Sequence, residues 1–196
     1  MLWASDKDRN QITSSRTLIN QGDIFKYLIP SSEPNSNWTD INFNDSSWDD
    51  GTSGFGYADG DDATLIPNGT LSLYLRKNFS INNVDEVISL ILDIDYDDAF
   101  VAYINGIEIA RANINGVPPP FNASTNQDHE AQIYNGGIPD RFNISDFSSI
   151  LLEGDNVLAI QAHNVSSWSS DFTIIPFLSA TFSSANNIGV EPPEIL

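Results

Sequence analysis

The stretch ILDIDYDDAFVAYINGIEIAR, residues 91–111, decides the fold class of this chain. Its alternating apolar residues indicate three consecutive strands, separated first by an acidic turn and then by the dipeptide Asn105-Gly106. An Asn-Gly pair favours a type I′ turn, because both central residues of that turn need a positive φ. The predicted hairpin places six side chains on one face in three opposed pairs: Ile104 with Ile107, Ala102 with Ile109, and Phe100 with Arg111.

The acidic turn lies at the other end of this hairpin. Asp95, Asp97 and Asp98 crowd the turn, and the predicted pairing brings Arg111 to the same end. A rigid β-scaffold that presents carboxylates beside a cation is typical of a binding loop. We therefore expect Asp97, Asp98 and Arg111 to contact a ligand.

The composition restricts the class of protein and its partners. A chain of 196 residues, 40% of them hydrophobic, is long enough for one all-β domain with a substantial core. The absence of cysteine excludes a disulfide framework and thiol redox chemistry. A net charge of −19 repels phosphate backbones and anionic lipid surfaces, so we expect no nucleic-acid partner. No run approaches the ~20 apolar residues of a membrane span, so we also expect no membrane insertion.

The order of segments predicts an antiparallel β-sandwich. Eight strand-like runs alternate with Gly, Asn, Asp and Pro, while helical periodicity is confined to residues 146–152. The runs span residues 17–29, 71–81, 87–94, 100–104, 107–112, 141–144, 156–163 and 172–182. We expect a flexible segment over residues 1–16, without the apolar region of a signal peptide, and a sandwich over 17–182. Residues 183–196 are predicted to be a linker, which would make this a monomeric module tethered to further domains.

Counting successive antiparallel strands from Leu71 brings four loops to one end of the sandwich. These loops hold most of the chemically versatile side chains: Asp59, Asp61, Asp62, Asp95, Asp97, Asp98, Asp128, His129, Glu130, Tyr134, Asn164, Trp168 and Asp171. The opposite end has short turns such as Asn105-Gly106. Because binding residues in sandwiches concentrate on loops at one end, we expect the functional site at the first end.

Several ordered motifs resemble the galactose-binding-domain-like jelly roll. They are FKYLIP, NWTDINFNDSSWDDGTSGFGY, YLRKNFSI, LDIDYDDAFVAYINGIEIAR and LLEGDNVLAIQAHNVSSWSSDF, and the resemblance covers residues 18–182. Such modules accompany secreted bacterial glycan-active enzymes, phosphoesterases and large surface proteins. The resemblance therefore implies a secreted or cell-surface protein, and it gives Trp38 and Trp48 a structural role at the two sides of an Asn-Asp-Ser-Ser turn. Phe25 departs from the family, which more often has Trp there.

The loop after the strand 156–163 holds the strongest candidate for ligand contact. Trp168 lies among serines outside any strand period, and a large indole in a polar loop suggests stacking on a sugar, although it could instead cap the core. Tyr134 is a second candidate. Asn164 is expected to bind a sugar hydroxyl. His163 could do the same, or could be a strand-end histidine bonded to a backbone carbonyl.

Asp59, Asp61 and Asp62, in the sequence ADGDDATL, suggest a structural calcium site. Calcium takes several oxygen ligands from carboxylates and carbonyls that lie close together. Calcium is common in lectin-like jelly rolls, but a solvated acidic loop is the alternative here. The turn at residues 95–98 is another candidate for calcium, unless Arg111 neutralises it.

Together these patterns predict a non-catalytic carbohydrate-binding module that targets a multidomain protein to a polysaccharide. No Ser-His-Asp spacing, nucleophile elbow, phosphate-binding loop or histidine metal pair indicates an enzyme. The alternative is a structural or adhesive spacer of a surface protein, stiffened by calcium and without glycan binding. Exposure of Trp168 beside a groove would favour the first interpretation, and burial would favour the second.

Overall fold

The computed structural model describes residues 12–184, which form two antiparallel-rich β-sheets packed face to face. The predicted all-β sandwich is confirmed. Within the described residues no helix is long and apolar enough to span a membrane.

The first sheet contains six strands: β1 (Ile12–Ile19), β4 (Phe55–Tyr57), β5 (Thr64–Leu65), β7 (Val87–Asp97), β10 (Asp140–Asn143) and β12 (Phe172–Ser184). The longest strand, β12, pairs with β7 along one side and with β1 and β4 along the other. The strand order is β10-β7-β12-β4-β5, and within this sheet only β4 and β5 run parallel.

The strands of the second sheet are β2 (Ile24–Leu28), β3 (Asp49–Thr52), β6 (Ser72–Ile81), β8 (Ala99–Ile104), β9 (Ile107–Ala112) and β11 (Gly154–His163). Their order is β3-β2-β6-β11-β8-β9, and all neighbouring strands in this sheet are antiparallel. The predicted short helix is present as α1 (Phe147–Ile150), and 3₁₀ turns lie at Val84–Glu86 and Ile133–Asn135.

The limits of the sandwich differ from the predicted 17–182. The strand β1 begins at Ile12 and pairs with β12 as far as Ser184. The sandwich therefore begins before residue 17 and continues past residue 182, the limits predicted from the apolar residues of the sequence. The first six residues of β1 are exposed, so backbone pairing with β12, and not burial of an apolar face, holds this part of the strand. The predicted strand 17–29 is divided by a turn at Gly22, where φ is 90°. The rest of the predicted flexible segment and the linker, residues 1–11 and 185–196, lie outside the described residues.

The hairpin between β8 and β9 confirms the predicted turn and corrects the predicted register. Asn105 and Gly106 have φ values of 52° and 86°, and Ile104 pairs with Ile107 as expected. Beyond that pair, Ile109 is an extra residue in a β-bulge, so Ala102 pairs with Ala110 and Phe100 with Ala112. A shift of one residue moves a side chain to the other face of a sheet. The prediction that Arg111 opposes Phe100 is therefore wrong, and Arg111 pairs with Val101.

Replacing Gly106 by Val should test the strain at this turn. A β-branched residue is strained at a φ of 86°, and its Cβ would also lie 2.8 Å from Oδ1 of Asp40. We expect the free energy of unfolding to fall by about 1–3 kcal/mol, the range for strained backbone positions. Chemical denaturation of the two proteins measures the difference. An unchanged denaturation midpoint would mean that the turn tolerates the substitution and does not have this geometry.

Two apolar clusters result from the alternation of side chains across the second sheet. Leu75 and Phe100 face the first sheet and belong to the main core, which also holds Phe25. Their neighbours Tyr74 and Val101 face the other way and belong to a smaller cluster.

The smaller cluster holds Trp38 and Trp48, which are 3% and 6% exposed. Their rings are 6.3 Å apart, and Trp38 meets Tyr74 edge to face at 4.8 Å. The buried guanidinium of Arg76 donates to the carbonyl of Trp38 and, at 2.8 Å, to Asp45. The structural role of both tryptophans is confirmed, and they cover the outer face of the second sheet.

Candidate functional site

The four chemically versatile loops meet at one end of the sandwich, as predicted from the strand count. The carboxylate of Asp98 joins two of them, because Oδ1 accepts from the amide of His129 at 2.9 Å and Oδ2 from the amide of Val165 at 2.6 Å. Asp98 is 3% exposed and both its oxygens are engaged by backbone amides. It therefore fixes loops in place and is not free to contact a ligand as expected from the sequence.

Asp95 fixes the loop that carries Tyr134 in the same manner. Its two oxygens accept from the amides of Gln132 and Ile133 at 2.7 and 2.9 Å, at the start of the 3₁₀ turn Ile133–Asn135. Tyr134 lies in this turn and is 41% exposed. The buried carboxylate of Asp95 therefore fixes the backbone of this turn, while the phenol ring of Tyr134 stays accessible to solvent.

Asn164 and His163 are fully buried, which gives both residues roles inside the protein. The amide of Asn164 donates to Oη of Tyr57 at 3.2 Å and to the carbonyl of Asp171 at 2.8 Å. Nε2 of His163 lies 2.8 Å from Nε2 of Gln161, a contact that needs an unprotonated imidazole nitrogen. Burial lowers the pKa of His163 to about 4. Neither side chain can reach a surface ligand, in contrast to the sugar contacts expected from the sequence.

Arg111 points away from the acidic turn because of the bulge in β9. Its guanidinium forms two bonds of 2.6 Å with Glu108 and also donates to the carbonyls of Ile114 and Gly116. The hydrogen bond with Glu108 is the main reason that the pKa of Arg111 is raised. The carboxylates at residues 95–98 therefore do not have the cationic partner that the sequence suggested.

Trp168 is 92% exposed, the highest value among the large hydrophobic side chains of the described chain. Its loop is ordered by short-range bonds: the amide of Trp168 donates to Oγ of Ser166 at 3.2 Å, and the amide of Ser169 donates to the carbonyl of Ser166 at 3.2 Å. The loop also packs on Gly69, where a Cβ would lie 3.2 Å from the carbonyl oxygen of Ser167. The backbone around the exposed indole is therefore held in place.

A cleft of about 300 Å³ lies directly beside this loop, and Gly69 forms part of its wall. Its lining combines apolar surfaces with a few polar groups: Ile29, Pro30, Pro67, Asn68, Thr70, Leu71, Ser72 and Phe121. Sequence reasoning missed this cleft, because its walls come from three separate segments that contain no recognisable motif.

The first carboxylate cluster consists of Asp59, Asp61 and Asp62, as the sequence suggested. One oxygen from each lies within 4.8 Å of the others. Asp62 rests on the backbone of Gly56, where a Cβ would be 2.4 Å from its Oδ1. Thr173 donates to Oδ2 of Asp59. The remaining five carboxylate oxygens are buried without a hydrogen-bond partner among the described residues.

The pKa values of Asp61 and Asp62 are raised, because their ionised forms are destabilised when no counter-ion is present. Burial, and then contact with Asp59, raises the pKa of Asp62 to about 8. Burial, and then the charge of Asp59, raises the pKa of Asp61 to about 6. Carboxylates in such surroundings favour either a proton or a bound cation.

The second carboxylate cluster consists of Asp97, Glu130 and Asp171, each from a different loop or strand end. One oxygen from each lies within 4.8 Å of the others. Burial, and then the charges of Asp98, Asp171 and Glu130, raises the pKa of Asp97 to about 8. Sequence reasoning placed all three at the same end but did not group them. The pairing of Thr173 with Asp97, which could have revealed the group, depends on a strand register that the apolar pattern does not fix.

No protein-family model matches the chain, and no curated protein matches it in sequence. Among solved structures, a β-glucuronidase from an uncultured Clostridium sp. superposes with a TM-score of 0.54 and 15% identity, over 93% of this chain and 30% of that one. A Bacteroides uniformis β-glucuronidase gives 0.52 and 16%, over 86% of this chain and 18% of that one. At this identity the likeness shows a shared β-sandwich fold, and the chain spans less than a third of either protein.

Proposed function

We propose that this chain is a non-catalytic carbohydrate-binding module of a secreted or cell-surface multidomain protein. The observation that carries the proposal is Trp168, an indole 92% exposed on a loop whose backbone is held by hydrogen bonds. An aromatic ring covers the apolar C–H face of a sugar, and a fixed backbone reduces the entropy lost on binding. Tyr134, on its own fixed turn, offers a second exposed ring.

The cleft that borders the Trp168 loop at Gly69 supports a sugar ligand because it combines two kinds of surface. Pro30, Pro67 and Phe121 provide apolar contact, and Asn68 and Thr70 provide groups that can hydrogen-bond to hydroxyls. The net charge of −19 disfavours anionic polymers, so neutral oligosaccharides and polysaccharides are the expected class.

The arrangement of carboxylates supports binding without catalysis. A glycosidase needs two carboxyl groups on opposite sides of a sugar bond, about 5–9.5 Å apart. Here Asp95 and Asp98 are engaged by backbone amides, while six further carboxylates at this end form two clusters of three within 4.8 Å and Asp128 lies outside both. Such clusters suit a cation better than a glycosidic bond.

Replacing Trp168 by Ala tests the proposed binding surface. We expect glycan affinity to fall at least tenfold, about 1.4 kcal/mol, because few residues carry most of the binding energy. The Tm should stay nearly unchanged, because the indole is almost fully in solvent. A glycan array identifies the ligand, and isothermal titration measures the affinity.

Trp168→Phe is the matched control, since it keeps an aromatic face and should retain part of the affinity. Normal binding of every positive glycan by the alanine variant would exclude Trp168 from the site. A large loss of Tm would instead mean that Trp168 stabilises the fold.

Calcium is the structural ion we propose for the first carboxylate cluster. Asp59, Asp61 and Asp62 supply hard oxygen ligands, and their five unpartnered buried oxygens need a positive partner. A cation there would join the loop 58–62 to β12 through the bond between Asp59 and Thr173.

A calcium-stiffened structural or adhesive spacer is the second candidate function. It is favoured by the same unpartnered oxygens, which point to an ion and not to a glycan. A module that responds to calcium but binds no glycan on the array would support the spacer.

A further inference from the structure

Three parts of the chain that are distant in sequence meet at the second carboxylate cluster. Asp97 ends β7, Glu130 lies in the loop between β9 and β10, and Asp171 immediately precedes β12. One carboxylate oxygen of each lies within 4.8 Å of the other two. The fold brings these like charges together, so their proximity does not follow from a local acidic run.

Asp97 is the buried member of the cluster and lacks a hydrogen-bond partner among the described residues. It is 4% exposed, whereas its neighbours Asp95 and Asp98, equally buried, each accept two backbone amides. Buried carboxylates are normally paired or hydrogen-bonded, because their desolvation is otherwise uncompensated. Asp97 differs from Asp95 and Asp98 in that no N–H or O–H group of the described residues donates to its carboxylate, so its burial is compensated by a proton or by a bound cation.

A cation is the partner that all three carboxylates of this cluster can share. None of the ion pairs between described residues includes Asp97, Glu130 or Asp171. The hydroxyl of Ser170 donates to Oδ1 of Asp171, which leaves the other oxygens of the cluster available. Two oxygens bound to one calcium ion, each about 2.4 Å from it, are at most about 4.8 Å apart. One oxygen from each of the three carboxylates lies within that distance of the other two, so a single calcium ion could bind all three.

We propose that Asp97, Glu130 and Asp171 form a second divalent-cation site, with the oxygen chemistry of calcium, distinct from the site at Asp59, Asp61 and Asp62. Asp171 lies three residues after Trp168, and Glu130 lies four residues before Tyr134. A cation held by all three carboxylates would therefore join the two loops that carry the exposed aromatic rings to the end of β7.

The number of bound ions tests this proposal. The protein is stripped with a chelator, titrated with CaCl2 by calorimetry, and checked by equilibrium dialysis with metal analysis. We expect two calcium ions per chain, and we expect Glu130→Gln and Asp171→Asn each to lose one. Asp128→Asn is the matched control, an exposed carboxylate in the same loop and outside the cluster, and should keep both. Glu130 is itself exposed, so its substitution should leave the chelated protein folded.

Asp62→Asn distinguishes the two sites. If it loses one ion and keeps the ion that Glu130→Gln loses, both sites exist. If the parent protein binds one ion that disappears in Glu130→Gln but persists in Asp62→Asn, the second site stands and the first does not. Undiminished calcium binding by both Glu130→Gln and Asp171→Asn would overturn the proposal, as would an absence of bound calcium in the parent protein.

Discussion

Trp48→Ala is expected to lower the free energy of unfolding by about 3–5 kcal/mol, the range for large aromatic truncations in a core. Trp48 is 6% exposed and packs against Trp38, Phe43 and Tyr74 on the outer face of the second sheet. Its removal leaves a cavity that the rigid sheet beneath cannot close. Denaturation with urea, followed by fluorescence and circular dichroism, measures the loss.

Trp168→Ala is the natural control for this measurement, because it removes the same side chain from an exposed position. Surface substitutions usually change stability by less than about 0.5 kcal/mol. Equal losses in the two variants would contradict the burial of one indole and the exposure of the other. A stable Trp48→Ala protein would mean that the outer cluster contributes little and that the main core alone maintains the fold.

Calcium is expected to raise the Tm, and to do so more at pH 8.5 than at pH 7. The pKa values of Asp62 and Asp97 are raised to about 8, above the unfolded value near 3.9. The folded chain therefore binds more protons than the unfolded chain between these values, and stability without a cation falls as the pH rises through this window. Calcium replaces the proton and removes that loss.

The pH range of this experiment is chosen to avoid His163. Its pKa is lowered to about 4 in the fold, so the unfolded chain takes up the proton first. The stability that the neutral His163 contributes is lost as the pH falls from about 6.5 towards 4. This pH dependence has the opposite sign to that of Asp62 and Asp97. Above pH 7 this histidine is neutral in both states, and the carboxylates account for the change.

The size of the calcium effect follows from mass action. An ion that binds only the folded state adds about 2.7 kcal/mol at a hundredfold excess over its Kd. Asp62→Asn should reduce the response and make the calcium-free protein more stable at pH 8.5, since it removes one of three mutually repelling charges. Asp85→Asn, at an exposed position, serves as the control. Equal Tm values in millimolar calcium and in chelator would contradict both carboxylate sites.

The sandwich and its functional end could be predicted because they depend on local signals. The Asn105-Gly106 dipeptide determines a turn by backbone sterics alone, and strand alternation then orders the loops. The position of Arg111 could not be predicted, because the bulge at Ile109 depends on packing against the opposite sheet and leaves no mark in the sequence.

The different roles of the three aspartates at residues 95–98 could not be predicted from the sequence either. Asp95, Asp97 and Asp98 have the same chemistry and lie within four positions, yet two accept backbone amides and one does not. The difference arises because the loops that contain His129 and Val165 bring their backbone amides close to Asp98, just after the end of β7. The positions of these loops depend on the whole fold, so the local sequence around the aspartates does not reveal them.

The pairing of β1 with β12 has a mechanical consequence. Ile12 lies opposite Ser184, so force applied at these two residues acts on one end of an antiparallel ladder. Such a load opens the ladder one bond at a time, as a zipper opens, whereas strands pulled lengthwise past one another must break many bonds together. The outer part of β1 is exposed, so little apolar packing resists this peeling. Tension applied at these two residues would therefore release β1 before the rest of the sandwich yields.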